Sequence, residues 1–342
     1  MTIAITGGGT GGHLTIAKIL AYELKKRGLK TIFIGSTNGQ DMLWFENSVL
    51  FDEKYFLKSS GVVNKKGISR ILSLFKILAL SFGCRKIFAK HDVKAVISVG
   101  GYSSAPAAFW AVANKIPLFI HEQNAEIGKI NALLKRFAKR FYSSYFEPKF
   151  DYPIDEIFLK TARIRREVKT VMFLGGSQGA NFINELAVKL APHLAEFGYK
   201  IIHQCGEANE AKMREIYKKE SINVELIGFS KMLHKFVESA DLCISRSGAS
   251  TLWELAANAV PAVFIPFPYA AGDHQYYNAK FLEQFCKIVR QSDADEERIF
   301  SIIQNFDVKA ASIGLKKLIK PDGAKKIVDD IIENLKDEDN KK

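Results

Sequence analysis

Residues 3–13 read Ile-Ala-Ile-Thr-Gly-Gly-Gly-Thr-Gly-Gly-His, a short β-branched run followed by five glycines within six residues. A long helical pattern begins directly afterwards, so the stretch predicts a strand, a tight loop and a helix. Glycine has no Cβ and adopts positive φ readily, so such a loop can bring backbone N–H groups close to an anion. Because the N-terminus of the following helix adds partial positive charge, the predicted ligand is a phosphate or diphosphate.

His13 lies where this loop becomes the helix, which makes it a candidate for proton transfer or diphosphate contact. Gly7-x-Gly9-x-x-Gly12 also satisfies the dinucleotide fingerprint. The second predicted strand, Thr31–Ile34, however, lacks the acidic residue at its end that would bind a ribose. A P-loop is excluded because no Lys-Ser/Thr pair follows the last glycine. A tight α/β turn without a ligand is the remaining alternative.

At 342 residues, the chain is longer than a domain with a single hydrophobic core usually is. Its length suits two domains of ~150–200 residues. An apolar content of 47% and a charged content of 25% are typical of a soluble globular protein. We expect no signal peptide and no membrane-spanning helix. The cysteines form no C-x-x-C pair and are expected to be buried, reduced thiols: Cys84, Cys205, Cys243 and Cys286.

The net charge of +12 is unevenly distributed. Residues 1–160 hold 23 Lys/Arg and 12 Asp/Glu, a balance of +11, whereas residues 161–342 hold 26 and 25, a balance of +1. This asymmetry predicts an anionic partner for the first half, which could be a membrane surface, a nucleic acid or an acidic substrate.

Strand and helix patterns alternate through almost the whole chain, which favours parallel sheets covered by helices. The opening pattern recurs where the strand Val171–Leu174 leads into Gly-Gly-Ser-Gln-Gly-Ala. Two strand–loop–helix segments, one opening each half, predict two similar α/β domains facing each other across a cleft.

One helical pattern, from Ile71 to Phe82, is apolar almost all round and has basic flanks. Such a helix is either fully buried or in contact with lipid, and both interpretations stay open. Basic flanks are typical of an interfacial anchor to anionic lipid. The membrane interpretation assigns contacts to Arg70, Leu74, Phe75, Leu78 and Phe82, and to a second basic rim at Lys135, Lys139 and Arg140.

Polar clusters follow four other predicted strands, at Gly100–Ser104, His121–Asn124, Ser245–Thr251 and, more distantly, Asp273–Ala279. The carboxyl ends of parallel strands are where open α/β sheets bind ligands. Glu254, one turn inside the helix after the third cluster, has two oxygens that can accept both hydroxyls of a ribose. Helix capping by the second cluster and a plain surface acid at Glu254 are the alternatives.

In the order and spacing of its motifs, the chain resembles the MurG family of bacterial peptidoglycan N-acetylglucosaminyltransferases over essentially its whole length. The resemblance implies the GT-B fold, an α/β fold with two Rossmann-like domains whose parallel sheets face each other across a cleft. The matching motifs are Gly8–His13, Gly100–Tyr102, His121–Asn124, Gly175–Ala180, Ser245–Glu254 and Asp273–Ala279.

The resemblance implies an enzyme that moves N-acetylglucosamine from UDP-N-acetylglucosamine to the 4-hydroxyl of the muramoyl sugar of lipid I, with inversion, to give lipid II. The implied partners are UDP-N-acetylglucosamine, undecaprenyl-diphosphate-linked lipid I and an anionic membrane surface, with no nucleic acid. The expected location is peripheral, at the cytoplasmic face of the inner membrane. No cofactor is expected to be required, although a divalent cation could stimulate the reaction.

By the same resemblance, residues 1–162 would bind the acceptor and the membrane, and residues 163–321 would bind the donor. A last helix over 322–336 would pack back on the first domain. His13 is the first choice for the catalytic base, with Glu122 as its rival. The diphosphate of the acceptor would contact Gly8, Gly9, Thr10, Gly11, His13 and Tyr102. The donor would contact Thr10, Gly11, Gly12, His13, Asn124, Arg165, Ser177, Gln178, Gly179, Phe229, Met232, Ala249, Ser250, Thr251, Glu254 and Gln275.

The chain departs from the family pattern at Thr15, where the family usually has proline, and at Thr161–Arg165, where the family has Gly-Asn-Pro-x-Arg. Arg165 keeps the basic residue expected near the phosphates, but the rigid turn before it is lost. Two other functions remain open from the sequence. One is a UDP-N-acetylglucosamine epimerase, and the other is a basic, non-catalytic protein that binds nucleic acid or membrane.

Overall fold

The structure, a computed structural model, describes residues 1–59, 68–176 and 179–339. The chain divides into two compact units, Met1–Pro153 with Asp322–Lys342, and Ile154–Pro321. The division therefore falls at Pro153 rather than at residue 162. Residues 154–162 belong to the second unit because Asn258 Nδ2 donates to the Phe158 carbonyl oxygen at 2.9 Å and to Thr161 Oγ1 at 2.8 Å.

The first unit contains a six-stranded sheet in which every pair is parallel and the order is β3-β2-β1-β4-β5-β6. Its strands are β1 (Thr2–Thr6), β2 (Lys30–Ser36), β3 (Glu53–Leu57), β4 (Val93–Ser98), β5 (Leu118–Glu122) and β6 (Arg140–Ser143). Its helices before the division are α1 (Gly11–Lys26), α2 (Asp41–Phe45), α3 (Ile68–His91), α4 (Ala105–Ala113) and α5 (Lys129–Leu134).

The second unit repeats this arrangement. Its strands are β7 (Thr170–Leu174), β8 (Lys200–Gln204), β9 (Glu225–Ile227), β10 (Leu242–Ser245), β11 (Ala262–Phe264) and β12 (Cys286–Ile288). Its helices are α6 (Glu156–Lys160), α7 (Asn181–Glu196), α8 (Glu210–Lys219), α9 (Leu233–Ser239), α10 (Ala249–Ala257), α11 (His274–Lys280), α12 (Glu296–Asn305) and α13 (Val308–Leu318). The strand order, β9-β8-β7-β10-β11-β12, corresponds to that of the first sheet, so the predicted pair of Rossmann-like α/β domains is confirmed.

The strands are continuous apolar runs because helices cover both faces of each parallel sheet. Ile3, Ala4 and Ile5 of β1 are fully buried, as are Val171, Met172 and Phe173 of β7. All four cysteines are free and buried, as the sequence predicts.

The last helix, α14 (Gly323–Asp339), belongs to the first unit. Its apolar face, which includes Ile327 and Ile331, is completely buried. Arg27, which caps α1, donates from Nη2 to Asp329 Oδ1 at 2.7 Å, and the Tyr142 hydroxyl donates to Asp330 Oδ2 at 2.7 Å. The helix α14 is thus joined to α1 and β6 of the first unit by these hydrogen bonds.

Candidate functional site

In each unit the strand order reverses beside the first strand, between β1 and β4 in one sheet and between β7 and β10 in the other. Loops that leave a parallel sheet on opposite sides of such a point open a crevice at its carboxyl edge, where ligands bind. In the first unit the Gly8 N–H donates to the Gly100 carbonyl oxygen at 3.1 Å, which joins the loops after β1 and β4. A Cβ at Gly101 would overlap the Gly8 carbonyl oxygen, so this approach requires a glycine.

His13 stands in the first turn of α1, half-buried at this crevice. Its Nδ1 lies 2.9 Å from Oγ1 of Thr10, the N-cap of the same helix. His121, at the end of β5, is completely buried nearby, and burial, with a smaller contribution from the charge of His13, lowers its pKa to about 3. His121 therefore stays neutral, and His13 is the half-buried imidazole at the crevice.

Glu122, the rival candidate for the base, is 2% exposed. Its Oε1 accepts from the Asn124 N–H at 3.0 Å, and its Oε2 accepts from the Gly128 N–H and Asn131 Nδ2, both at 2.9 Å. Both oxygens of the Glu122 carboxylate therefore accept hydrogen bonds from groups within residues 124–131. Glu122 thus holds the loop that carries Asn124, and its role as the rival base stays a prediction.

Tyr102, a predicted contact of the acceptor diphosphate, lies beside the first glycine loop. Its hydroxyl donates to the Asn38 carbonyl oxygen at 2.8 Å, and its ring lies against Gly9, where an added Cβ would be 2.8 Å from Cε1. Tyr102 therefore packs the glycine loop from one side.

The second crevice is built in the same way. The Gly175 N–H donates to the Gln204 carbonyl oxygen at 3.0 Å, and α7 begins six residues later at Asn181. Gly179 has φ of +70°, and a Cβ there would overlap the Cys205 carbonyl oxygen. Two predicted donor contacts, Ser177 and Gln178, lie outside the described residues.

On the other side of this crevice, α10 begins at Ala249, and Ser250, Thr251 and Glu254 are half-buried along its first two turns. The Ser247 hydroxyl donates to the Gln275 carbonyl oxygen at 2.7 Å, and the Phe267 N–H donates to Gln275 Oε1 at 3.0 Å. These bonds fix the start of α11 beside α10. Phe229 and Met232, both about half exposed, follow β9 at the same edge of the sheet, so the structure brings these predicted donor residues to one edge.

Arg165 is the clear exception, and its assignment to the donor phosphates is wrong. Its side chain is 0% exposed. The guanidinium donates to the carbonyl oxygens of Ala240 at 3.0 Å and Val237 at 3.0 Å, and to Asn258 Oδ1 at 2.6 Å. Burial lowers its pKa to about 9, and no face of the group is left for a ligand. Arg165 therefore joins the segment that precedes β7 to the ends of α9 and α10.

Two charged residues at the crevices were missed from the sequence. Arg246 follows β10, and its guanidinium donates to the Ile265 carbonyl oxygen at 3.0 Å and to Gln291 Oε1 at 2.6 Å, while burial lowers its pKa to about 10. Asp41 begins α2 and accepts a hydrogen bond from the Gly9 N–H at 2.5 Å. Only Arg246 had a sequence signal, since it lies inside the polar cluster after a strand.

The apolar helix α3 is buried on one side only. Ile77, Cys84 and Phe88 are buried, whereas Phe75 is 66% and Phe82 is 72% exposed. The side chains of Arg70 and Leu74 lie outside the described part of the chain. The interpretation of α3 as a fully buried helix is therefore wrong. Further exposed members of the predicted membrane surface are Leu78, Lys135, Lys139 and Arg140, joined by Leu72, Lys76, Arg85 and Lys86.

Among the residues that the structure describes, no helix combines the length and the apolar character that crossing a membrane requires.

Comparison with known proteins gives matches over both units. Residues 3–143 match the family model described as glycosyltransferase family 28 N-terminal domain, and residues 170–335 match glycosyltransferase family 28 C-terminal domain. A Campylobacter hominis protein is 99% identical over 341 residues, which is 100% of both chains. It is named UDP-N-acetylglucosamine–N-acetylmuramyl-(pentapeptide) pyrophosphoryl-undecaprenol N-acetylglucosamine transferase.

A Campylobacter fetus protein of the same name is 54% identical, with 96% of this chain and 99% of the relative aligned. Among solved structures, the crystal structure of Acinetobacter baumannii MurG superimposes with a TM-score of 0.75 and 28% identity. That superposition covers 97% of this chain and 99% of the other.

The buried Arg165 leads to a first prediction. Arg165→Lys should lower the free energy of unfolding by at least about 2 kcal/mol, because an ammonium group cannot satisfy the carbonyl oxygens that now share the guanidinium. The affinity of the folded protein for UDP should stay within about twofold. Thermal unfolding and titration calorimetry with UDP measure the two quantities. Arg166→Lys, at the exposed neighbouring position, is the control and should change neither. Weaker UDP binding with unchanged unfolding would restore the phosphate role.

Proposed function

This chain belongs to glycosyltransferase family 28, and from that premise we propose its reaction and the roles of its residues. It is an N-acetylglucosaminyltransferase that moves N-acetylglucosamine from UDP-N-acetylglucosamine to lipid I, forming lipid II. The observation that carries this conclusion is the full-length match to a transferase named for that reaction, at 99% identity. A full-length match to a transferase excludes the two other functions left open by the sequence, which are an epimerase and a non-catalytic binding protein.

The second unit is the proposed donor site. Its crevice has helix N-termini on both sides, those of α7 and α10, and helix N-termini favour the negative charge of a diphosphate. Ser250 and Thr251 bring hydroxyl groups to the start of α10, and Glu254 offers two oxygens to the ribose hydroxyls. Phe229 and Met232 would lie along the uracil, and Gln275 would contact the sugar.

The first unit is the proposed acceptor site. The loop that ends at Thr10, together with the start of α1, would receive the diphosphate of lipid I. His13 would take the proton of the attacking 4-hydroxyl, and the hydroxyl oxygen would displace UDP from the anomeric carbon with inversion. In this role His13 Nδ1 donates to Thr10 Oγ1, so that Nε2 is the atom that accepts the proton. Asn124, held by Glu122, would reach the donor sugar.

Helix N-termini and loop amides also stabilise charge that develops on a leaving diphosphate, because these groups are fixed in place before the reaction. We therefore propose that transfer needs no resident cofactor and that a divalent cation acts at most as a stimulant.

The exposed side of α3 is the proposed membrane contact. Phe75, Leu78 and Phe82 offer apolar surface, and Arg85 and Lys86 place cations beside it. Apolar area and electrostatic attraction to anionic lipid together give reversible binding at the membrane surface. A peripheral position at the cytoplasmic face of the inner membrane would bring the first unit to its lipid-linked acceptor.

We expect His13→Ala to lower kcat by ~10²-fold or more, the usual consequence of losing a general base. Steady-state transfer to a soluble lipid I analogue, followed by mass spectrometry, measures this. The matched control is His193→Ala, which removes an exposed imidazole from α7 and should leave kcat unchanged. Near-normal turnover in the His13 variant would remove that residue from proton transfer.

The donor assignment predicts that Glu254→Ala weakens UDP binding by roughly 5- to 150-fold, because losing the bonds to the ribose costs ~1–3 kcal/mol. Titration calorimetry with UDP tests the assignment directly. Glu215→Ala, on the exposed side of α8 in the same unit, serves as the control. An unchanged dissociation constant for the Glu254 variant would show that the ribose lies elsewhere.

The membrane assignment predicts that wild-type protein co-sediments with vesicles containing anionic lipid and that binding weakens as salt rises. The double variant Phe75→Glu/Phe82→Glu should lose this binding, because it replaces apolar contacts by charges that anionic lipid repels. Leu43→Glu alters an equally exposed apolar residue of the first unit, away from α3, and should bind as wild type does. Equal sedimentation of all three proteins would refute the assignment.

A further inference from the structure

Asp41 is completely buried beneath the first glycine loop. Its Oδ1 accepts from the Gly9 N–H at 2.5 Å, and its Oδ2 accepts from the Ser36 N–H at 2.8 Å. One carboxylate thus joins the loop after β1 to the end of β2. The Gly9 amide, although it belongs to the loop, is directed inward.

The surrounding backbone is shaped to admit this carboxylate. A Cβ at Gly8 would lie 2.5 Å from Asp41 Oδ1, and a Cβ at Gly35 would lie 2.9 Å from Asp41 Oδ2. Gly9 has φ of +85°, a conformation that favours glycine, and the Tyr102 ring covers its other side. The loop is therefore held between a carboxylate below and an aromatic ring above.

The charge of Asp41 is unfavourable for direct contact with a diphosphate. Burial raises the pKa of this carboxyl, and the bonds from the Gly9 and Ser36 N–H groups oppose that rise. A buried carboxylate under an anion-binding loop would repel the anion, so its contribution must come through the geometry that it imposes. Because Asp41 accepts the Gly9 N–H, the groups that would bind the ligand are those after Gly9 and at the start of α1.

We propose that Asp41 is a positioning residue for acceptor binding, which fixes the first glycine loop in the conformation that receives the diphosphate of the acceptor. The inference rests on the proposed function, in which that loop belongs to the acceptor site. Asp41 touches neither substrate nor the reacting atoms and acts through Gly9.

The same unit offers a matched control. Asp52 Oδ2 accepts from the Thr31 N–H at 2.7 Å, so it makes the same kind of bond to the same sheet. Thr31 lies at the beginning of β2, whereas Ser36 lies at its end, so Asp52 is at the edge of the sheet opposite the crevice. A purely structural role would make the Asp41 and Asp52 variants behave alike.

The experiment compares wild type, Asp41→Ala, Asp41→Asn and Asp52→Ala as full-length proteins, with a soluble lipid I analogue and UDP-N-acetylglucosamine. Asp41→Ala should raise the KM for the acceptor about tenfold or more, the usual scale for losing a well-made hydrogen bond, and leave UDP affinity within about twofold. Asp41→Asn can accept only one of the two N–H groups and should raise the acceptor KM several-fold. Asp52→Ala should leave both substrate parameters unchanged, whatever it does to thermal unfolding.

An unchanged acceptor KM in both Asp41 variants overturns the inference, as does an equal rise in the KM values of donor and acceptor. If Asp41→Ala is recovered unfolded, Asp41→Asn alone decides by the same criterion. Failure of the proposed function has a separate outcome, since wild-type protein would then make no disaccharide product. Weakened UDP binding by Asp41→Ala, with active wild type, would instead place the nucleotide at the first loop.

Discussion

The close approach of two backbone segments at the carboxyl edge of each sheet is the constraint on which the rest of the structure depends. In the first unit a Cβ at Gly7 or at Gly101 would overlap a backbone oxygen of the opposite loop, and in the second unit Gly179 stands against the Cys205 carbonyl in the same way. Glycines are required here by steric contact alone, before any ligand is considered. The same close approach places the N-termini of α1 and α7 at the carboxyl edges of their sheets, so the packing requirement also positions the proposed anion sites.

The parts that the sequence predicts well are those set by local pattern. A β-branched run, a glycine loop and an amphipathic helix are neighbours in the chain, and their recurrence at 171–180 indicates the second unit. Once the strands are known to be parallel, residues after their carboxyl ends must share an edge. This is why Ser250 and Glu254 of one motif and Gln275 of another lie along one edge of the second sheet.

Whether an individual charged side chain is buried and bonded within the protein could not be predicted, because its partners are distant in the chain. Arg165 is buried by carbonyls of Val237, Ala240 and Asn258, and nothing in its own neighbourhood distinguishes it from a phosphate ligand. Glu122 has a carboxylate that could act as an acid or base, but N–H groups of the loop that it holds donate to both of its oxygens. Asp41 gave no signal, since its partner Gly9 lies on another strand-to-helix loop.

The helix α3 shows a different limit of sequence analysis. Its sequence is apolar both on the face that is buried and on the face that is exposed. Residues that pack on α4 and the sheet, such as Cys84 and Phe88, are apolar like Phe75 and Phe82, which stay largely exposed. Burial of one face satisfies the fold, and the other face is the one that the proposed membrane contact uses. The first half of the chain also carries nearly all of the net positive charge, and apolar contact and attraction to anionic lipid are each weak alone. Their combination on one surface is therefore the physical basis of the proposed reversible contact with the membrane, since two weak attractions that act together can hold a protein that neither would hold alone.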